Sequence, residues 1–452
     1  MRNAIVLAAG KGTRMKSSLP KVMHKILGQP MIGHVITHLN EVHTDKNIMV
    51  VGHGAEMIQD YLKDQVSFAL QLEQKGTGHA VLQAIDQLDP TGDTILLYGD
   101  CPCVQSETIE WLFESNQDYD LTVLTAFFFD PAKYGRIVRD KKQRVKKIVE
   151  YKDCSKNELN IKEVNTGIYC FKNEMLIKHI KEITNNNAQN EYYITDLVEI
   201  FINNGLKVQA ISVKDNDEVM GVNDRLDLLN AQRWIQKKIN NAWLDKGVTF
   251  INPLGTYISL QTTFDEDVVL YPNIYLEGKN HIGRGTTILP GSFLINSKIG
   301  EDVTVDASRI TDSVVGNKVN IGPYAHLRGH TEISDGNRIG NFVEMKNAKL
   351  GKNTRCAHLT YLGDTEVGED VNFGCGVVTV NYDGKHKFKT KIGDHAFIGS
   401  NVNLIAPIEV GKNAVIAAGS TVDKDVPEND LAIARQRQEN KPGLGLKYIQ
   451  KK

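Results

Sequence analysis

Cysteine is scarce in this chain: Cys101, Cys103, Cys154, Cys170, Cys356 and Cys375 are the six among 452 residues. Cys101 and Cys103 stand two apart, with no second pair at zinc-site spacing. Neither a disulfide framework nor a structural zinc site is expected, and reduced thiols point to a cytoplasmic protein. Long hydrophobic runs are also lacking. The opening MRNAIVLAAGKGTRM turns to glycine and charge after Ala9, too early for a secretory leader or a membrane span. Charge of one sign is missing as well. Lys and Arg total 53 against 55 Asp and Glu, a net of -2, so no global field draws the chain onto nucleic acid or an anionic membrane. A local basic run, KKQRVKK at 141–147, has no interleaved aromatics and reads as a solvated hairpin turn.

What remains is a soluble composition, 41% hydrophobic and 24% charged, in a chain too long for one ordinary core. Two grammars share it. Up to about residue 222, aliphatic runs at 3–7, 47–51, 94–97, 121–127 and 206–211 read as strands. Helical patterns at 31–39, 57–61, 80–87 and 196–203 lie between them. Apolar strands alternating with helices predict a mostly parallel sheet covered on both faces. From 224 to about 244 no Pro or Gly interrupts a helical period carried by Leu226, Leu229, Ile235, Ile239 and Trp243, so one long helix is expected where a linker arm would be.

After Phe250 aliphatic residues recur every six positions. One ladder runs Ile392, Ile398, Leu404, Val410, Ile416, Val422; another Phe264, Leu270, Leu276, Ile282, Ile288, Leu294; a third Ile321, Leu327, Ile333, Ile339, Met345. Six fits neither a helix nor a plain strand. It fits a solenoid of short strands and turns, three units to a triangular coil, with about ten coils between 251 and 425. Glycine follows many ladder residues and is expected to take a turn conformation closed to other side chains. The stretch from Asn381 to Lys391 breaks the period and reads as a loop thrown out from one corner.

Two regions carry chemistry. In the first, an apolar strand ends in Leu7-Ala8-Ala9-Gly10, with Lys11, Gly12 and Arg14 following and Lys21 close behind. Small residues let backbone N–H groups crowd round an anion, and the cations suit phosphates. The spacing is neither a Walker loop nor a dinucleotide fingerprint. A second apolar strand delivers Asp100 at its C-terminal end, just after Tyr98. A carboxylate there suits a hard divalent cation, or else caps the next helix. Gln71, Gln74, Gly76, Thr77 and Gly78 offer groups that could read a base edge, as polar surface loops also do. In the second region, polar residues interrupt the repeat between Arg328 and Tyr382. They include Glu344, Lys346, His358, Tyr361, Asn372 and Asn381, and an imidazole is the natural base near neutral pH.

LAAGKGTRM with Lys21, QxxQxGTGHA and YGD resemble the sugar-1-phosphate nucleotidylyltransferases. With the hexapeptide ladders behind them, residues 2 to about 440 resemble the bifunctional N-acetylglucosamine-1-phosphate uridyltransferase/glucosamine-1-phosphate acetyltransferases. The resemblance implies an α/β Rossmann-like nucleotidyltransferase domain (1–222), a linker helix (223–250) and a left-handed parallel β-helix of hexapeptide repeats (251–452). It implies that Leu7, Ala8, Ala9, Gly10 and Tyr98 surround the nucleotide of UTP, with Lys21 on its phosphates and Gln71, Gly76 and Thr77 on uracil. Asp100 and Asn223 would hold Mg²⁺, although Asn223 unaided reads as the N-cap of the long helix. Gly135, Glu150 and Asn165 would hold N-acetylglucosamine 1-phosphate, and Arg14 would stabilise the transferring phosphoryl.

On the solenoid the resemblance makes His358 the base that deprotonates glucosamine 1-phosphate for attack on acetyl-CoA. Arg328 and Lys346 would hold the sugar phosphate, and Tyr361, Asn372 and Asn381 the sugar. Asn381 and Tyr382 would lie near the acetyl group, and Ser400, Ala418 and Arg435 would line the coenzyme A channel. Cys375 would stand beside the acyl donor, where a covalent acetyl-cysteine is the alternative to its simply being small. Gly419, Ser420 and Lys441 are candidates on composition alone. A homotrimer in the cytoplasm is implied, without nucleic-acid binding or membrane insertion. Cys375 departs from the alanine usual there, His330 breaks a Pro-Gly pair, and Cys101-Pro102-Cys103 replaces Val-Pro-Leu. The rivals are a monofunctional nucleotidylyltransferase on a structural solenoid and a non-catalytic, translation-factor-like subunit.

Overall fold

The computed structural model describes residues 1–449 and divides into two compact units, Met1–Ile235 and a second from Gln236 onward. Among the described residues no helix is long and apolar enough to cross a membrane.

The first unit is built on a nine-stranded sheet. Its strands are β1 (Arg2–Ala8), β2 (Lys46–Val51), β3 (Ser67–Leu70), β4 (Asp93–Tyr98), β5 (Leu121–Phe127), β6 (Arg136–Arg139), β7 (Val145–Val149), β8 (Glu163–Lys172) and β9 (Val208–Ser212). The order is β9-β5-β8-β4-β1-β2-β3, with β6 pairing β8 and β7. Helices α1 (Met31–Glu41), α2 (Ala55–Leu62), α3 (Thr77–Leu82), α4 (Ser106–Ser115), α5 (Asn173–His179) and α6 (Asp196–Asn203) accompany it. Apolar residues from both sides of β1 are buried, Ile5 in one cluster with Leu96 and Val6 in another with Leu97. That accounts for strand sequences that are hydrophobic throughout.

The structure differs from the sequence reading in several places. Strand β8 is antiparallel to both neighbours, because the chain returns to it through the β6–β7 hairpin rather than a crossover helix. The helix expected over 80–87 is α3 followed by a separate turn at Ile85–Gln87, and the strand expected over 206–211 runs Val208–Ser212. The long helix α7 (Arg225–Leu244) forms, but Leu226 and Leu229 are exposed while Ala231, Trp234, Ile235 and Ile239 are buried. Its cap is Asp224, whose carboxylate accepts from Leu226 and Asp227 N–H, so Asn223 is released from that task. Of the 141–147 run, residues 141–144 lie in the turn of the β6–β7 hairpin and 145–147 open β7, with Val145 buried.

In the second unit each short strand pairs in parallel with the third one along, which makes three strands to a coil. All the ladder residues named above are buried. Full burial of such a side chain contributes roughly 1.5–3 kcal/mol. Thr365 pairs with Thr390, a step of 25, where Phe397 to Val415 takes 18; the excess is the projecting loop after Asn381.

Gly322, after Ile321, takes the expected positive φ (101°), but the other glycines after the ladder residues have a different role. The left-handed conformation falls two positions later, at Asn353, Asp370, His395 and Asn413. Glycine is required instead by close stacking. A Cβ on Gly351 would stand 2.5 Å from the Gly368 carbonyl carbon of the next coil.

Candidate functional site

The C-terminal ends of β1 and β4 border a pocket of about 300 Å³ lined by Leu7, Ala8, Ala9, Gly10, Lys21, Gln71, Gly76, Thr77, Tyr98 and Asp100. Two neighbouring parallel strands deliver the small-residue turn and the carboxylate to the same edge. Asp100 caps no helix, since α4 begins only at Ser106. The Lys21 ammonium donates to the Asp100 carboxylate and, at 3.4 Å, to the side-chain carbonyl of Asn223. Arg14 donates to the same Asn223 oxygen at 2.8 Å. Val222 N–H is bonded to the Asp100 carbonyl at 2.8 Å, which holds the Asn223 segment against the end of β4.

Two cations and two hard oxygen donors thus converge beside the glycine turn. Asp100 and Asn223 suit Mg²⁺, which takes few protein ligands and keeps substrate phosphates and waters. Among the described residues no group of three or more His, Cys, Asp or Glu could hold a metal. Cys101 and Cys103 are buried thiols pushed above their ordinary pKa by desolvation, and they face Asp100 and the Ala231 carbonyl separately, which makes them packing.

Gly135, Glu150 and Asn165 come together next to this pocket. Asn165 N–H donates to the Gly135 carbonyl at 2.9 Å, and a Cβ on Gly135 would stand 3.4 Å from the Glu150 carboxylate. Burial raises the Glu150 pKa, and desolvation first, then the Glu150 charge, raises that of the half-buried Tyr98 beside it.

On the solenoid, Arg328 and Lys346 stand in register on adjacent coils, as do Glu344 and Tyr361. Arg328 donates to Glu344 at 2.7 Å. Asn381 donates to Asp364 at 2.5 Å, and both its amide and the Tyr361 hydroxyl crowd over Gly363, the position in register with Lys346. His358 is exposed on the long strand Arg355–Val367, facing away from the apolar interior. The bonds Gly376 N–H to Leu359, Asn401 N–H to Cys375 and Gly419 N–H to Ser400 put Leu359, Cys375, Ser400 and Ala418 in one column along a corner, with His358 the residue just before Leu359. The Arg435 side chain approaches that column beside Gly419. Tyr382 is exposed on the projecting loop. Asn372 is not gathered in: it is in register with Arg355 and Phe397 on another face. Lys441 lies exposed in the tail, and Ser420 is buried, bonded to Ala434 N–H.

The nucleotidyl transferase profile matches residues 3–249, and the bacterial transferase hexapeptide profile of six repeats matches 389–424. The bifunctional protein GlmU of Halalkalibacterium halodurans is 50% identical over 443 residues, 97% of each chain. Its counterpart in Streptococcus agalactiae is 47% identical over 447 residues, covering 98% of this chain and 97% of its own. That of Exiguobacterium sibiricum is 48% identical over 442 residues, 97% and 98% of the two chains.

The chain belongs to the GlmU family of bifunctional proteins.

It is accordingly an enzyme with two transferase activities, for UDP-N-acetylglucosamine synthesis, as the motifs imply. Within this GlmU-type solenoid, sequence reading missed Lys387. Its ammonium lies against that of Lys346 and, with Arg328 farther off, lowers the Lys346 pKa. Each such like charge disfavours the protonated form of the other, and a bound phosphate would offset that. The available signal was the alternation Lys385, Lys387, Lys389 in the projecting loop. The bridge between Tyr382 and Lys387 folds that loop back on itself.

Proposed function

We propose that the two transfers occur at these two separate sites, uridylyl transfer within 1–222 plus Asn223 and acetyl transfer on the solenoid of 251–452. In the first, a phosphate oxygen of N-acetylglucosamine 1-phosphate attacks the α-phosphorus of UTP. The bond to the β-phosphate breaks and pyrophosphate leaves. A phosphate monoester is already a nucleophile, so positioning and charge neutralisation carry the rate. Lys21 and Arg14 hold the phosphates, Gln71, Gly76 and Thr77 the base, and Gly135, Glu150 and Asn165 the sugar. Asp100 and Asn223 would hold Mg²⁺, whose charge offsets that of the triphosphate. The observation that carries this half is the shared contact of Arg14 and Lys21 with Asn223, beside Asp100.

In the second transfer His358 takes a proton from the amine of glucosamine 1-phosphate. The amine attacks the acetyl-CoA carbonyl, the carbon–sulfur bond breaks, and coenzyme A leaves as a thiol after taking up a proton. Arg328, Lys346 and Lys387 hold the sugar phosphate, Tyr361 and Asn381 the sugar. The column Cys375, Ser400, Ala418 with Arg435 takes coenzyme A, and Tyr382 closes over the acetyl group. A homotrimer is part of this reading, because Asn372 lies on another face from Arg328 and Lys346 and would meet the acceptor of a neighbouring copy. Support for a cytoplasmic setting is the unpaired state of all six cysteines.

The test uses the purified full chain. Pyrophosphate should appear from UTP, N-acetylglucosamine 1-phosphate and Mg²⁺, and free thiol from acetyl-CoA with glucosamine 1-phosphate. Absence of the thiol would leave the monofunctional rival; absence of both would leave the non-catalytic one.

A further inference from the structure

The base loop and the sugar wall of the uridylyl site are laced together. Tyr192 N–H donates to the Lys75 carbonyl at 2.8 Å, and Gly78 N–H donates to the Tyr192 carbonyl at 2.8 Å. Ile194 N–H donates to the Thr77 hydroxyl at 3.1 Å. Missing side chains allow this approach: a Cβ on Gly76 would stand 2.6 Å from the Tyr192 oxygen. One end of the same segment, Glu191, lines the nucleotide pocket. Its other end, Thr195, donates to the Glu150 carboxylate at 3.4 Å. Asn187 braces it from outside, donating to the Glu191 carbonyl at 2.6 Å and accepting Glu191 N–H at 3.2 Å.

We propose that residues 191–195 form a coupling strap, with Thr77 as its positioning residue, through which nucleotide and N-acetylglucosamine 1-phosphate strengthen each other's binding. This rests on the site assignments given above. A nucleotide that orders the 71–78 loop also orders the strap bonded along it, and thereby Glu150. The sugar phosphate then meets a wall whose ordering cost has been met, and linkage makes the effect reciprocal. Thr77 supplies the side-chain rung of the lacing, so its hydroxyl acts on the sugar wall as well as facing the nucleotide.

The experiment is calorimetric titration of the full-length enzyme with N-acetylglucosamine 1-phosphate, with and without saturating α,β-methylene UTP and Mg²⁺. For the wild type the analogue should tighten sugar-phosphate binding by about 5–150-fold, the usual span of such couplings. Thr77→Val should cut that factor at least about fivefold, and Thr77→Ser, which keeps the hydroxyl, should restore it. If Thr77→Val does not fold, Asn187→Ala, which acts from outside the pocket, should lower the factor in the same sense. An unchanged factor in the folded variants, even with both affinities reduced, would overturn the strap and make Thr77 a simple contact. A wild-type factor of one would overturn it too, leaving the site assignments standing. Failure of the wild type to bind either ligand would overturn those assignments as well.

Discussion

The guanidinium of Arg14 donates a 2.8 Å hydrogen bond to the side-chain oxygen of Asn223, 209 positions away in the chain. The same oxygen lies 3.4 Å from the Lys21 ammonium. Asn223 therefore ties the glycine turn to the start of the long helix, and the two cations share one acceptor.

Removing either end of that bond should have the same consequence. Arg14→Ala and Asn223→Ala should each lower uridylyl transfer by about 10²-fold or more, because clamp residues act on the charged transition state. The double variant should lose less than the product of the single losses, as expected for partners in one interaction. Steady-state kinetics on the three variants, with acetyl transfer as an unchanged control, checks this.

Lys387 should matter to the other reaction alone. Lys387→Ala should raise the KM for glucosamine 1-phosphate about tenfold through loss of a charge-assisted contact to phosphate. The neighbouring ammonium lowers the Lys346 pKa, so its removal should let Lys346 keep its proton to higher pH. The alkaline rise in that KM should shift upward in pH in the variant. Measuring KM across the alkaline range tests both statements.

Asp196 gives a stability prediction with a definite sign. Burial, then Glu199 and Asp153, push its carboxyl from 3.8 up to about 6. Above pH 6 the folded protein carries a charge it disfavours more than the unfolded chain does. The cost fades as pH falls from 6 towards 4, where both states are protonated. Asp196→Asn should therefore raise the melting temperature at pH 7.5 and give a smaller gain at pH 5. Scanning calorimetry at the two pH values reads the difference.

The solenoid was the most legible part of the fold. Each ladder side chain faces the interior, so a period of six is stamped on the sequence itself. Antiparallel β8 was not legible, because strand direction depends on whether a hairpin or a helix precedes it, and apolar content is the same either way. Gly322 apart, the role of the repeat glycines was misread for a related reason. Backbone stacking between coils, as at Gly351 and Gly368, joins residues 17 apart and leaves no mark beyond the glycine itself. In the proposed uridylyl site, the glycine turn, Lys21 and Asp100 could be found from residue chemistry. Asn223 needed the resemblance, since an Asn before a helix looks like a cap until Asp224 is seen to do that work. Lys387 needed the structure, because its partner Lys346 is 41 residues earlier.

The central claim is that two reactions run at two independent sites, and one paired assay tests it most directly. Both activities are measured on Asp100→Asn and on His358→Ala. Asp100→Asn should lose uridylyl transfer by at least about 10²-fold and keep acetyl transfer, while His358→Ala should show the reverse. Either substitution leaving its assigned reaction intact, or lowering both in a folded protein, would contradict the account.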